Sequence, residues 1–198
     1  MTDIMLDLET LGTGPNGAIV AIGAVAFNAR ADDTPRAYRP FYRKVDVQSS
    51  IDAGLRVDGS TIKWWMEQSD AARQQTFGGE YQSPLHIVLE SFNLFVKAQP
   101  GDISVWGNGA TFDNVILREA YRALKIAPAW HYRDDKCYRT VANLLPKNRR
   151  PEYVRQGVHH NAADDALTQA LYLQAVFREL RLAEEIGDQR AAMNEENQ

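Results

Sequence analysis

Asp7 and Glu9 stand two residues apart at the end of a short run, Asp3 to Leu8, that reads as a strand. Side chains alternate across a strand, so both carboxylates leave one face while Leu6 and Leu8 turn to the other. Carboxylates held so close repel, and the arrangement is stable only with a proton or a cation between them. Their hard oxygen atoms suit Mg²⁺ or Mn²⁺; the plainer alternative is a pair of solvated acids at an exposed strand end. A further acid, Asp113, closes the segment Trp106-Gly-Asn-Gly-Ala-Thr-Phe-Asp113, which runs from a strand end into a helix. Ligand crevices of open α/β sheets form at such strand ends. Asp113 could equally complement a helix dipole, an explanation that leaves Gly107 and Gly109 without a reason. Finally, His159-His160-Asn161-Ala-Ala-Asp164-Asp165 opens the last predicted helix. A histidine just before a helix and an aspartate in its first turn can meet at one point, setting a general base beside a metal ligand. A functionless surface pair of histidines is the alternative. His159 with Asp164 and His160 with Asp165 share one spacing, and adjacent helix positions differ by ~100° in direction, so the two aspartates cannot serve equally.

These groups need a sheet to hold them. Residues 18–27 are an apolar, β-branched run expected of a central strand buried on both faces. Tyr38 to Val45 reads as a third strand, with Pro40 placing it at an edge or shifting its start. Three early strands suggest a meander. Ser60 is expected to cap a helix carrying Ile62, Trp64, Trp65 and Met66, and Ser83-Pro84 to start another at Leu85. Ile103 to Trp106 reads as a strand and Thr111 as the cap of the following helix. A long helix runs from about Ala162 to Leu182, with Asn161 as its N-cap. The expected organisation is a single domain over residues 1–183 and a polar, fraying C-terminal tail over 184–198. Strands followed by helix–strand–helix imply an α/β fold with a mixed central sheet flanked by helices.

The 198 residues suffice for one buried core, and 22 Lys plus Arg against 26 Asp plus Glu leave a net charge of −4. That balance excludes a globally basic nucleic-acid binder, but not a local patch. The single cysteine, Cys137, excludes an intramolecular disulfide framework and a cysteine zinc site. The longest apolar stretch is far short of the ~20 residues of a membrane helix, and no secretory signal opens the chain, so a cytoplasmic protein with no membrane association is expected.

Taken together, Asp7-Leu8-Glu9-Thr10, Asn108 to Asp113, and His160 with Asp165 resemble, in order and separation, the three motifs of the DEDDh branch of DnaQ-like 3′–5′ exonucleases. The resemblance covers roughly residues 1–180. Asp-Leu-Glu-Thr-Leu-Gly, Ile62-Lys-Trp-Trp65, the Trp106–Asp113 segment and His-Asn-Ala-x-Asp-Asp-Ala are similar to the mycobacterial-type, RNase AS-like exoribonuclease subgroup. The resemblance implies an RNase H-like fold and hydrolysis of single-stranded nucleic acid, RNA favoured over DNA, from its 3′ end. It implies two Mg²⁺ (or Mn²⁺) on Asp7, Glu9, Asp113 and Asp165, with His160 as general base, and it selects Asp165 over Asp164. It also implies that Thr10, Leu11 and Gly12 lie under the terminal nucleotide, with Asn108 and Trp64 as further substrate contacts, and it suggests a homodimer. On this mechanism activity is expected to rise with pH through the histidine range.

Residues 131–160 carry Arg133, Lys136, Arg139, Lys147, Arg149, Arg150 and Arg155 against Asp134, Asp135 and Glu152, either a solvated face or a phosphate track. Trp64 and Trp65 cannot both face inward on a narrow apolar stripe; one is left for base stacking or a dimer contact. Two rival functions remain at this stage. A haloacid-dehalogenase-like phosphatase would use Asp7 as nucleophile, though its second acid is Glu here. A non-catalytic nucleic-acid-binding domain of the same fold would bind strands without turnover.

Overall fold

The computed structural model describes residues 2–31, 40–79 and 81–196, and side chains of the last helix up to Leu182 and at Glu184. A five-stranded sheet forms its centre. β1 (Thr2–Thr10) lies between β2 (Ile19–Phe27), which it pairs with antiparallel, and β4 (Ile103–Gly107), which it pairs with in parallel. β3 (Phe41–Lys44) borders β2 antiparallel, β5 (Asp135–Cys137) borders β4 in parallel, and the order is β3-β2-β1-β4-β5. The expected meander is present. Pro40 precedes β3, an edge strand, as a residue without an N–H to donate requires; Tyr38 lies outside the described residues. No sequence signal had marked β5, whose three residues are too few to show a period.

Both sheet faces are covered, which is why β2 reads as an almost unbroken apolar run. On one face Ile4, Leu6, Leu8 and Ile22 pack against Leu85, Leu89, Phe92 and Val96 of α4 (Leu85–Lys97) and Ile116, Leu117 and Tyr121 of α5 (Asp113–Ala123). On the other, Met5, Val25 and Trp106 meet Tyr138 of α6 (Tyr138–Ala142) and Ala166, Ala170 and Leu173 of α7 (Ala162–Glu196). Among the described residues no helix is long and apolar enough to cross a membrane.

Several helix starts differ from expectation, one of them because a distant side chain serves the first N–H. The helix holding both tryptophans, α2 (Gly59–Met66), has Asp58 rather than Ser60 at its N-cap, and the Asp58 carboxylate accepts the N–H of Thr13 instead of capping its own helix. Pro84 is the N-cap residue of α4, not its first helical residue; the Leu85 N–H donates to the hydroxyl of Ser49 on α1 (Val47–Asp52), 2.9 Å away. Phe112, not Thr111, precedes α5. Asn161 does cap α7, its Oδ1 accepting from Ala163 and Asp164 N–H. α7 then continues to Glu196, so the polar segment expected to fray from residue 184 extends the helix.

One close approach sets the depth of α7. Gly23 stands opposite Asp7 in the β1–β2 register, and a Cβ built on it would lie 2.1 Å from the carbonyl carbon of Ala162 and 2.3 Å from the Ala163 nitrogen. The first turn of α7 therefore rests directly on the sheet. Gly23→Ala is expected to push that turn outward, costing ~1–3 kcal/mol in overpacking and separating Asp165 from Asp7. Denaturant unfolding together with Mn²⁺ binding checks this; unchanged affinity would mean the turn can shift without disturbing the acids.

Candidate active site

The end of β1, the start of α5 and the start of α7 converge on a cavity of about 480 Å³ lined by Asp7, Glu9, Asn108, Asp113, His160 and Asp165 among others. Alternation along β1 sends Asp7 and Glu9 to the α7 side, with a register shift just after Glu9. Asp113 is buried at the first position of α5 and accepts the N–H of Leu8 at 3.2 Å. Gly107 permits this: a Cβ there would come within 2.3 Å of Asn114 Oδ1 and 3.0 Å of Asp113 Cβ. The glycine that a helix-dipole role left unexplained is a packing requirement of the aspartate.

The two histidine–aspartate registers separate clearly. Asp164 turns beneath the preceding loop, accepting the Val158 N–H at 2.8 Å. Asp165 faces the cavity and accepts the backbone N–H of His160 at 3.0 Å. His160 adopts a positive φ of 64°, uncommon for a side-chain-bearing residue. Its carbonyl accepts from Thr76 Oγ1 on α3 (Asp70–Phe77), and its ring lies edge-on to Trp64 and Trp65. His159 stacks on it from the solvent side, with ring centroids 3.8 Å apart.

Oxygen atoms of Asp7, Glu9 and Asp165 lie within 4.8 Å of one another. Crowding on this scale has a protonation signature. Burial, then the charges of Asp113 and Glu9, hold Asp7 well above the ordinary carboxylate range, although Gln169 donates to it at 2.8 Å. Burial and Asp113 raise Glu9 to about 8. Burial lifts Asp113 to about 7 against backbone N–H groups and Arg139 that favour its charge. Glu9 Oε1 is buried with no hydrogen-bond partner. A cluster of hard oxygen donors, protonated for want of positive charge and with one orphaned atom, fits divalent cations of the Mg²⁺ or Mn²⁺ kind.

His160 is displaced in the other direction, to about 4, by burial and then by His159 and Arg155. Its imidazole is neutral throughout the neutral range, so the rise of activity expected there from histidine titration falls instead to the carboxylates. The sign for stability follows from the same shifts. Groups whose folded pKa is raised stabilise the fold when protonated, so metal-free stability falls as pH rises toward and through about 7 to 8. Melting without metal is expected to drop from about pH 4.5, where the unfolded carboxylates ionise, to about pH 8, and to level off above it, and Mn²⁺ at the upper pH to restore it. A flat metal-free series would contradict the crowding.

Beside the acid cavity lies a second, apolar one of about 370 Å³, lined by Leu8, Glu9, Thr10, Thr61, Trp64, Trp65 and Phe112 among others. The tryptophan question is resolved here. Trp65 is buried, its Nε1 donating to the Thr10 carbonyl at 2.9 Å, while Trp64 is 41% exposed and presents its ring to the cavity. Thr10 lines this cavity. Leu11 instead packs against the core, and Gly12 sits against the Arg56 backbone; neither is in the lining of either cavity. Asn108 contributes its backbone, the carbonyl accepting from Arg139 at 2.8 Å. Of the basic segment, Arg139 and Arg155 reach the acid cavity, while Arg149 pairs with Glu179 and Arg150 donates to the Leu145 carbonyl.

Sequence reasoning had missed Gly23, Phe112, Thr61 and Gln169. A glycine inside an otherwise β-branched strand is a recognisable mark of close approach; the other three carry no local signal.

The sheet order, with this acid cavity at the ends of parallel strands, defines the DEDDh exonuclease (RNase H-like) fold. The chain belongs to the Rv2179c-like 3′–5′ exoribonuclease domain family, whose model it matches over residues 2–177. It is 27% identical over 135 residues to the exodeoxyribonuclease of Enterobacteria phage T4, a match covering 63% of this chain and 58% of the phage protein. The nuclease domain of 3′hExo, a DEDDh member solved with rAMP, superposes with a TM-score of 0.55 at 14% identity, covering 91% of this chain and 92% of that one. E. coli exonuclease I bound to a dT13 oligonucleotide gives 0.56 at 14% identity, over 90% of this chain and 40% of the other. At such identities the structural likeness speaks for the fold.

Proposed function

We propose that the chain is a 3′–5′ exoribonuclease that shortens single-stranded RNA from its 3′ end and releases 5′-mononucleotides. The observation that carries this reading is the adjacency of the two cavities: a buried acid cluster with a neutral imidazole shares Leu8, Glu9 and Phe112 with an apolar slot edged by Trp64. A phosphodiester fits over the acids and a flat base fits the slot. Family membership supports the direction of attack and the ribonucleotide substrate.

Asp7, Glu9, Asp113 and Asp165 would hold two Mg²⁺ or Mn²⁺ ions, which supply charge stabilisation at the attacking and leaving oxygens and lower the pKa of bound water. His160 accepts the proton of the attacking water; its lowered pKa keeps the acceptor nitrogen free at neutral pH. The exposed ring of Trp64, with Phe112, stacks the terminal base, a contact worth ~1–3 kcal/mol. Thr10 and Thr61 line the slot, and the Thr61 hydroxyl is buried without a partner, a donor suited to a ribose hydroxyl. A homodimer and a cytoplasmic site of action complete the reading.

The test is a gel assay with 5′-labelled single-stranded RNA and DNA of one sequence, in Mg²⁺, Mn²⁺ or EDTA. A ladder shortening from the 3′ end, faster on RNA and lost with EDTA, is expected. Binding without cleavage under every metal condition would replace the enzyme with a binding domain, and equal rates would remove the sugar preference.

A further inference from the structure

Arg155, in the loop before α7, is where the acid cavity meets positive charge. Its guanidinium forms an ion pair with Oδ1 of Asp165 and reaches the Val158 carbonyl at 3.4 Å. Its charge also bears on Asp7, Glu9, His159 and His160. Yet the pairing is incomplete. Arg155 Nε is buried and has no hydrogen-bond partner, so a fork that already serves Asp165, the Val158 carbonyl and the Tyr153 side chain still has its Nε–H to give.

The carboxylate of Asp165 has little to spare. Its Oδ2 accepts the His160 N–H, which leaves Oδ1, the atom the guanidinium holds. A divalent cation drawing on Oδ1 would stand beside the guanidinium, and two like charges a few ångströms apart repel strongly in a partly buried site. One must leave. The arginine stem is partly exposed and sits in a loop, so it can swing while Asp165, fixed in the first turn of α7, cannot. The place it swings toward already lies within the same cavity. A phosphodiester's non-bridging oxygens match the planar fork, whose Nε–H has no partner.

We infer that Arg155 is an exchangeable counter-ion: it occupies Asp165 in the metal-free protein, yields that oxygen to a divalent cation, and then grips the substrate phosphate. The inference rests on the metal-ion reading proposed above. It makes Arg155 a substrate-binding residue that also opposes metal binding, two effects of opposite sign from one side chain.

The test is Mn²⁺ binding without RNA, read by electron paramagnetic resonance, for the wild type, Arg155→Met and Arg155→Lys. A charge-assisted hydrogen bond competes with the ion, so Arg155→Met is expected to bind Mn²⁺ about tenfold more tightly, a factor equivalent to about 1.4 kcal/mol. Arg155→Lys, which keeps the charge, is expected to stay near the wild type. At saturating Mn²⁺ the KM of Arg155→Met for single-stranded RNA is expected to rise about tenfold, the phosphate having lost its grip. Equal or weaker Mn²⁺ binding by Arg155→Met overturns the inference and leaves a structural brace. Failure of the wild type itself to bind Mn²⁺ overturns the metal-ion reading, and this inference with it. On the wild type alone, the Nε–H resonance of Arg155, assigned from Arg155→Lys, is expected to move on Mg²⁺ addition; a stationary resonance with Mg²⁺ bound excludes the exchange whether or not Arg155→Met folds.

Discussion

Asp113→Asn is expected to lower turnover by about a thousandfold or more while making the metal-free protein more resistant to heat. On the proposed mechanism the loss follows from removing one charged ligand from a site whose ions would supply several kcal/mol of transition-state stabilisation, at about 1.4 kcal/mol per factor of ten. The gain follows from the structure. Asp113 is buried beside Asp7 and Glu9, and its ionisation is opposed by burial, to about 7. An asparagine keeps an oxygen for the Leu8 N–H and carries no charge. The melting temperature should therefore rise by several degrees near pH 8, where Asp113 is ionised at a cost, by less near pH 5, and hardly at all near pH 3.5, where the aspartate is protonated in the folded state and largely so in the unfolded one. Thermal scans at these pH values with turnover in Mg²⁺ check this. A destabilised but active Asn variant would remove Asp113 from the metal site and make it a structural cap.

His160→Ala is expected to lower turnover by ~10²–10⁴-fold, the usual worth of a positioned general base, with His159→Ala within a few-fold of the wild type. The two histidines are neighbours in sequence and their rings stack, but only His160 is wedged against Trp64 and Trp65 with its backbone tied to Asp165 and Thr76. The reverse pattern would move the base to His159. The pH profile separates the roles further. Below neutrality Glu9 and Asp113 hold protons that cations must displace, so activity should rise with pH through about 7 to 8. Because protons and cations compete for the same oxygens, that rise should move to lower pH as Mn²⁺ is increased. A rise tied to the imidazole would stay where it is.

Asp7, Glu9, Asp113, His160 and the helices and strands that carry them were legible in the chain because each signal is local. Strand alternation puts Asp7 and Glu9 on one face, a strand end followed by glycine and a helix marks Asp113, and an N-capping asparagine marks the start of α7. Such features depend on a few neighbouring residues, and three of them in the right order are specific. The caps failed where a distant group took over, as Ser49 does for Leu85.

What tertiary structure alone decided was direction and partnership across roughly the whole chain. The resemblance had selected Asp165 over Asp164, and the fold supplies the physical reason: Asp164 accepts the Val158 N–H while Asp165 faces the acids. Trp65 is buried and Trp64 open because the Thr10 carbonyl takes the Trp65 N–H. Leu11 and Gly12 belong to the core and the Arg56 turn, not to a cavity wall. Among seven basic residues between 131 and 160, Arg155 is the one that reaches Asp165. The Trp65 and Gly12 outcomes depend on segments far apart in sequence, while Asp164 and Arg155 find partners within ten residues by the way the loop before α7 folds back. How near Asp165 comes to Asp7 is set by how closely α7 can approach β2 over Gly23, a distance that only the packed structure defines.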